Sequence, residues 1–243
     1  MEWYRTNNPE HYRVYGLGKW GILRPDRPFF TAIKPTVNYG LTVFNPLMPI
    51  CVSCDFNVDN TFLISQHYDD RIEYHEVFHG GGDLRELCLK IIEKYGSRRE
   101  YRFTGDASGN NESAYTTGTQ SAYQLIQYYF TDPEHGNVDK DLVDFSAVPT
   151  SNGETAESRI IANALISYFG KRIVINREGC GLLIDDIDRM EAKSNGSLNK
   201  LLCEKHNYGH VGDAFRYDLK HFEADTYRDI VKNGSFGRVS EAA

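Results

Sequence analysis

The sequence predicts an α/β protein in which helices cover both faces of a mixed sheet of five or more strands. One observation is a group of three β-rich runs, ICVSCDFNV, TFLISQHY and RIEYHEVFHG, between residues 50 and 80. Asp-Asn and Asp-Asp pairs separate these runs, which is typical of an antiparallel meander. Another is the alternation of helical and strand-like patterns along the rest of the chain, as expected of strands joined through helices.

The helix predicted at residues 84–95 has the clearest local signals. Asp83 and Glu86 have the spacing of a capping box at its start, and Gly96 ends it. The apolar residues of one helical face are Leu84, Leu87, Cys88, Ile91, Ile92 and Tyr95. This face predicts packing against the sheet.

Further strands and helices follow this helix. YRFTGD predicts a fourth strand and VDFSAV a fifth, with a helix around residues 122–129 between them. ETAESRIIANALISYFG predicts a third helix, and RIVIN, GLLIDDIDRMEA and HVGDAFRYDLKHFEA predict a strand and two more helices. The third helix is expected to face inward with Ile161, Ala164, Leu165 and Tyr168. Three antiparallel strands followed by αβαβα is the order of an RNase H-like fold.

Length and charge limit the classes of function. A chain of 243 residues can bury a substantial core, and no run approaches the roughly 18 apolar residues of a membrane span. The N-terminus lacks the apolar core of a signal peptide, and five cysteines favour reduced thiols, so we expect a cytoplasmic protein without a membrane partner. The net charge of -7 argues against non-specific coating of nucleic acid, but it allows an enzyme whose carboxylates hold metal ions.

Composition divides the chain into three parts. Residues 1–46 are rich in Pro, Arg and aromatic residues without a sustained period, which predicts an extended arm or linker. The arm is either solvated or, through its basic residues, in contact with nucleic acid. Residues 47–222 form the predicted RNase H-like domain. Residues 223–243 form a polar tail that is either disordered or in contact with a partner.

Three aspartates are candidates for a metal site. Asp55 closes the first predicted strand and Asp106 the fourth, so both emerge at one edge of the sheet if those strands are neighbours. Asp213 begins a late helix that could pack beside that edge. His210, three residues earlier on the same helical side, is expected to support the ligands by hydrogen bonding. Such carboxylates suit two Mg²⁺ or Mn²⁺ ions, which hydrolyse a phosphodiester without a histidine as general base.

Each of these residues also has a purely structural explanation. Asp55 could end a strand, Asp106 could form an Asx-turn before Gly109, and Asp213 could cap its helix with His210 packed nearby. Only the joint placement of the three acids favours a metal site.

Four short motifs follow one another along the chain: VYGLGKWG at 14–21, CDFNVDN at 54–60, TGDASGNNES at 104–113 and GHVGDAFRY at 209–217. Together, and over nearly the whole chain, they resemble the nuclease domain of the large terminase subunit of tailed bacteriophages. DAFRY gives the last motif its specificity.

The resemblance implies an RNase H-like endonuclease that cuts concatemeric double-stranded viral DNA during genome packaging in the host cytoplasm. By motif position, Asp55, Asp106 and Asp213 would be the catalytic residues and the ligands of two Mg²⁺ or Mn²⁺ ions. Asp59, in the loop after the first acid, would be an accessory ligand. Low sequence specificity is expected of the cleavage.

The resemblance also implies the partners of a packaging motor, namely the portal protein, the small terminase subunit and an ATPase domain. Large terminases carry that ATPase domain before the nuclease, yet no G-x-x-x-x-G-K-[ST] phosphate loop occurs in this sequence. We therefore expect residues 1–46 to be the junction after the ATPase domain. The chain would be an excised domain or a separate product without ATP hydrolysis of its own.

Several basic residues are candidates for contacting DNA. Lys193, Lys200 and Lys205 flank the turn-like SNGS segment, which predicts either a mobile hairpin that guides DNA or a solvated loop. Arg159 and Asn163, four residues apart on the polar side of the third helix, could contact phosphate or face water.

Other interpretations remain open. Cys51-x-x-Cys54 and Cys203-x-x-His206 have the spacing of zinc ligands, but residues three apart in a strand point to opposite faces. Cys51 and Cys54 could therefore share a metal only in a turn. The domain could instead dock the packaging machinery on a portal ring with little catalysis of its own, or it could be another RNase H-like nuclease or resolvase.

Overall fold

A mixed seven-stranded sheet forms the centre of the fold, in the order β1-β7-β4-β3-β2-β5-β6. The structure is a computed structural model that describes residues 25–56, 60–80, 83–111, 120–206 and 208–233. The strands are β1 (Tyr39–Gly40), β2 (Ile50–Phe56), β3 (Asn60–His67), β4 (Ile72–Gly80), β5 (Tyr101–Gly105), β6 (Val143–Asp144) and β7 (Ile173–Asn176). The predicted α/β class with a mixed sheet is confirmed.

The pairing of the strands places the candidate site. Strands β2, β3 and β4 form the predicted antiparallel meander. Strand β5 returns parallel to β2, with Cys54 opposite Gly105, and β7 runs parallel to β4. The carboxyl ends of β2 and β5 therefore lie side by side, which is the arrangement that open α/β sheets use for ligand sites.

Helices pack on both faces of the sheet, as predicted. They are α1 (Pro35–Asn38), α2 (Leu84–Tyr95), α3 (Ala122–Thr131), α4 (Thr155–Phe169), α5 (Gly181–Arg189), α6 (Lys200–His206), α7 (His210–Phe222) and α8 (Ala224–Lys232). Helices α2 and α3 bury their apolar faces with Val52 and Phe103 of the sheet. Helices α4, α5 and α7 pack on the opposite face with Leu63 and Tyr74. Within the described ranges, no helix is long and apolar enough to cross a bilayer.

Two helices show how well the local patterns predicted burial. Asp83 caps the start of helix α2 by accepting from the amide of Arg85, and Gly96 caps its end, as predicted. The predicted capping box is incomplete, since Glu86 pairs with Lys90 instead. Helix α4 has the predicted position, but its predicted face is only partly correct: Tyr168 is 48% exposed, Ala164 is half-buried, and Phe169 is buried instead. The buried face of α4 follows the pairs 161/162 and 165/166 to 169, which is the 3.6-residue period continued to the next turn.

Part of the segment predicted to be an extended arm, residues 1–46, contributes to the core. Phe29, Phe30 and Ile33 are fully buried or nearly so and belong to the core beside Phe215. The core therefore includes residues on the N-terminal side of the predicted boundary at residue 46, because apolar side chains from residue 29 onward belong to the same hydrophobic cluster. Residues 1–24, including the motif at 14–21, lie outside the described part of the chain.

Two further segments differ from their predictions. The fifth strand contains only two residues, since Asp144 accepts from the amide and hydroxyl of Ser146 and so forms a turn. The first part of the predicted tail is helix α8, which buries Ile230 against the core. Residues 234–243 lie outside the described residues.

Candidate metal centre

Asp55 and Asp106 occupy equivalent positions at the ends of two adjacent parallel strands. The Asp106 amide donates to the carbonyl of Cys54 at 2.9 Å and so extends the β2–β5 ladder by one step. Side chains alternate between the two faces of a sheet. Ser53 and Thr104, two residues before the acids, contact Ala214 and His221 of α7. Both aspartates are therefore on the face that α7 covers.

Gly105 allows this close pairing. Its φ is +143°, and a Cβ at this position would lie 2.1 Å from the carbonyl oxygen of Cys54. A side chain here would push β5 away from β2, because a carbon cannot approach a carbonyl oxygen so closely. The glycine before Asp106 is thus a requirement of the site's geometry.

Asp106 is both the predicted turn residue and a member of the candidate centre. Its Oδ1 accepts from the amide of Ser108 at 2.8 Å, and its Oδ2 accepts from the Ser108 hydroxyl at 2.6 Å. Oδ1 also accepts from Nδ2 of Asn152 at 2.6 Å. The residue is 8% exposed. The Asx-turn at the start of the short 3-10 helix Ala107–Asn110 therefore orients the carboxylate.

The first turn of α7 brings two more predicted residues to this region. Nδ1 of His210 lies 3.2 Å from Oδ2 of Asp55, which itself is only 1% exposed. The hydrogen bond to Asp55 raises the pKa of His210, and the charges of Asp55, Asp186 and Asp213 act in the same direction against burial. His210 therefore contacts one of the candidate ligands, and its supporting role at a metal site stays a prediction.

Asp213 is held by a basic neighbour on its own helix. Its Oδ1 accepts from Nε and Nη2 of Arg216 at 3.1 and 2.9 Å. Arg216 is almost fully buried, and the Asp213 side chain is 19% exposed. The salt bridge offsets the charge of Asp213 and keeps its carboxylate at the N-terminal end of α7.

Asp186 of α5 is an acid of this region that the sequence analysis did not single out. Its Oδ2 accepts from the amide of Gly212 at 2.9 Å, and the residue is 5% exposed. Burial raises the pKa of Asp186, although hydrogen bonds from the backbone amides that begin α7 oppose this. Its position between Leu183 and Ile187, on the apolar face of α5, could have indicated a buried acid, since an acid on such a face needs a specific partner.

The donor chemistry of the region suits a hard divalent cation, because carboxylate oxygens are the ligands that Mg²⁺ and Mn²⁺ prefer. Asp55 and Asp106 present such oxygens on neighbouring strands, while Asp213 is engaged with Arg216. Within the described part of the chain, no three His, Cys, Asp or Glu side chains gather closely enough to hold a metal ion. Asp59 lies outside the described residues.

The residues predicted to contact DNA have different surroundings. Arg159 donates to the carbonyls of Phe29 and Pro28. Asn163 donates to the carbonyl of Phe29 and accepts from the amide of Ala32. These contacts anchor the first described segment of the chain on α4, and they account for both side chains without DNA.

The SNGS segment is a short turn closed by a bridge between Ala192 and Leu198, after which helix α6 begins. Lys193 and Lys200 are exposed at its two ends, so both ammonium groups are accessible to a ligand. The side chain of Lys205 lies outside the described part of the structure. Contact of these lysines with DNA remains a prediction.

The cysteines do not form a zinc site from Cys51 and Cys54. Cys51 and Cys54 both lie within β2, three residues apart, and therefore point to opposite faces. All five cysteines are buried free thiols. Burial raises the pKa of the Cys51 and Cys54 thiols, which disfavours the thiolate that zinc requires.

Comparisons with known proteins find similar proteins by structure alone, since no family model and no curated protein matches the sequence. The nuclease domain of the P22 large terminase is 12% identical, with a TM-score of 0.55 over 84% of this chain and 96% of that domain. The large terminase of a thermophilic bacteriophage is 14% identical, with a TM-score of 0.53 over 84% of this chain.

The chain spans about half of that thermophilic phage protein, matching 46% of its length. The nuclease domain of the SPP1 large terminase, solved with bound Mn, is 12% identical with a TM-score of 0.44. That likeness adds nothing to the fold assignment. The chain has the RNase H-like fold of large-terminase nuclease domains, and the predicted resemblance is confirmed at the level of the fold.

Proposed function

We propose that this chain is a metal-dependent endonuclease that cleaves double-stranded viral DNA concatemers, with low sequence specificity, during genome packaging. The observation that carries the proposal is the pairing of Asp55 and Asp106 at the ends of adjacent parallel strands. The likeness in fold to the P22 nuclease domain supports the same reading. The alternative as a docking module has no comparable observation in its favour.

In this proposal Asp55, Asp106 and Asp213 hold Mg²⁺ or Mn²⁺. Two such ions, when bound, would supply an activated water and a stabilised leaving oxygen for phosphodiester hydrolysis. His210 orients the Asp55 carboxylate through its 3.2 Å contact. Arg216 keeps the Asp213 carboxylate at the start of α7.

The biological setting is part of the same proposal. The domain would act in the host cytoplasm within a packaging motor that includes a portal protein, a small terminase subunit and an ATPase domain. Asp59 would be an accessory ligand, and Lys193, Lys200 and Lys205 would contact the DNA backbone. Such contacts are expected to weaken steeply with salt, because phosphate binding releases counterions.

Cleavage of supercoiled plasmid with Mn²⁺ or Mg²⁺ tests the proposal. We expect Asp106→Asn and Asp213→Asn to cut at least about 100-fold more slowly than wild type, a loss of about 2.7 kcal/mol of transition-state stabilisation. Asp144→Asn is the matched control, since Asp144 also ends a strand and accepts from the amide and hydroxyl of a serine two residues later.

The control separates the metal role from the turn role. If Asp106→Asn and Asp213→Asn remain folded and cut at the wild-type rate, the site assignment is wrong. If Asp144→Asn slows cutting as much as Asp106→Asn does, loss of the carboxylate charge from an Asx-turn is enough to explain the effect, and the metal role is not supported.

A further inference from the structure

Asn152 lies in the loop between β6 and α4 and contacts Asp106 from outside its own turn. Its Nδ2 donates to Oδ1 of Asp106 at 2.6 Å, and its Oδ1 accepts from the amide of Ala107 at 2.7 Å. One amide group thus binds both the carboxylate and the backbone that follows it. The two contacts fix the position of Asn152 against the end of β5.

The backbone of Asn152 is tied to the helix that carries Asp213. Nζ of Lys220 donates to the carbonyl oxygen of Asn152 at 3.1 Å. Lys220 follows Asp213 by seven residues, which places both on the same side of α7. The loop therefore connects the end of β5 to the helix on which the third candidate acid stands.

This connection differs in kind from the contacts that Ser108 makes. Ser108 is two residues from Asp106 in the chain, so its hydrogen bonds move with the turn. Asn152 is 46 residues away and belongs to another loop. It can therefore fix the Asp106 carboxylate relative to the rest of the fold.

We propose that Asn152 is a positioning residue, which sets the orientation of the Asp106 carboxylate and couples it to α7. The inference rests on the proposed function and deepens it. An amide suits this role because it donates a hydrogen bond without adding charge. Oδ2 of Asp106 accepts only from the Ser108 hydroxyl among its described hydrogen bonds, so it keeps a lone pair that a cation could use.

The test compares Asn152→Ala with Asn110→Ala. Asn110 is the matched control because its Nδ2 holds the same loop to the same 3-10 helix, through the carbonyls of Pro149 and Ala107, without contacting the carboxylate. Titration calorimetry with Mn²⁺ on the whole chain measures the affinity. We expect Asn152→Ala to weaken Mn²⁺ binding about 10-fold, which is usual when a residue that hydrogen-bonds to a metal ligand is removed. We expect Asn110→Ala to bind Mn²⁺ as tightly as wild type.

A crystal structure of Asn152→Ala supplies a readout that does not depend on metal. We expect the Asp106 carboxylate to leave its present orientation while β2, β5 and α7 keep theirs. Unchanged Mn²⁺ affinity together with an unchanged Asp106 side chain would overturn the proposal. So would equal losses in Asn152→Ala and Asn110→Ala, because these would show that the loop anchor alone matters.

The two proposals fail in different ways. If wild type binds no Mn²⁺ and Asp106→Asn equals wild type in cleavage, the metal function is wrong, and the orientation of Asp106 in the Asn152→Ala crystal alone decides the role of Asn152. If Asp106→Asn is inactive while Asn152→Ala keeps wild-type affinity and orientation, only the role of Asn152 is wrong.

Discussion

The two halves of α7 carry aspartates in opposite surroundings. Asp213 in the first turn has one described side-chain partner, Arg216, and its side chain is 19% exposed. Asp218, five residues later, is 0% exposed. It accepts from the hydroxyls of Ser65 and Tyr74 at 2.6 and 2.7 Å and lies 2.9 Å from Nε2 of His67.

The difference separates a structural acid from a candidate ligand. The lone pairs of Asp218 are occupied by donors from two strands, and no solvent reaches it, so it fastens α7 to the sheet. Asp213 retains solvent access and a single charged partner, so a cation can compete for it. Residue type and helix are the same, and burial and hydrogen bonding alone assign the roles.

The largest expected effect is on stability at Asp218. Asp218→Asn should lower the free energy of unfolding by about 3–5 kcal/mol, because it removes one of the two carboxylates that pair with the buried His67 and replaces an oxygen that accepts from Ser65 or Tyr74 by an amide nitrogen that cannot accept. Asp213→Asn makes the same chemical change on the same helix, and we expect it to stop cleavage while it lowers the free energy of unfolding by less than Asp218→Asn does, because the Asp213 side chain is partly exposed and has one described partner. Urea unfolding and plasmid cleavage on both variants measure this. Equal losses of stability would erase the distinction drawn between the two acids.

The next effect is a pH dependence of stability at the Asp218 end of α7. Burial alone would lower the pKa of His67, but the charge of Asp218 and the hydrogen bonds to Asp218 and Glu223 outweigh it and raise the pKa to about 9. The unfolded value is about 6.5. Because the folded pKa is the higher one, this stabilisation is complete below about pH 6.5 and is lost as the pH rises through about 9.

Urea unfolding at pH 6, 8 and 10 checks the sign. Wild type should lose more stability than His67→Gln between pH 6 and 10, since the glutamine cannot lose a proton. Parallel profiles for the two proteins would show that His67 is not charged between the carboxylates.

The smallest expected effect concerns the segment that the sequence assigned to an arm. Asn163→Ala removes hydrogen bonds to Phe29, Ala32 and Thr31. We expect a loss of about 1–3 kcal/mol in the free energy of unfolding, because these partners are left unsatisfied, and unchanged DNA affinity. Lys171→Met, which removes an exposed charge two residues after α4, is the control for general surface effects. A loss of DNA affinity without a loss of stability would restore the DNA-contacting interpretation.

The sequence predicted the elements of the site better than the contacts between them. Asp55 and Asp106 could be located because each ends a strand with a clear β pattern, and strand order then brings them together. The role of Asn163 could not be predicted, since a polar helix face looks the same whether water or another segment covers it. Asn152 gave no signal either, because a single loop asparagine has no period and its partner is 46 residues away.

The contacts that hold Asp218 against the sheet also determine how precisely α7 positions Asp213 in the candidate centre. Five residues of helix separate Asp218 from Asp213, a lever of about 7.5 Å at 1.5 Å per residue. A tilt of about 8° about the Asp218 end would therefore displace Asp213 by about 1 Å, and misplacements of that size can cost about 100-fold in rate. Substitutions at Ser65, His67 or Tyr74 would loosen the contacts of Asp218 and so let α7 tilt. They are therefore expected to slow cleavage by displacing Asp213, from a distance.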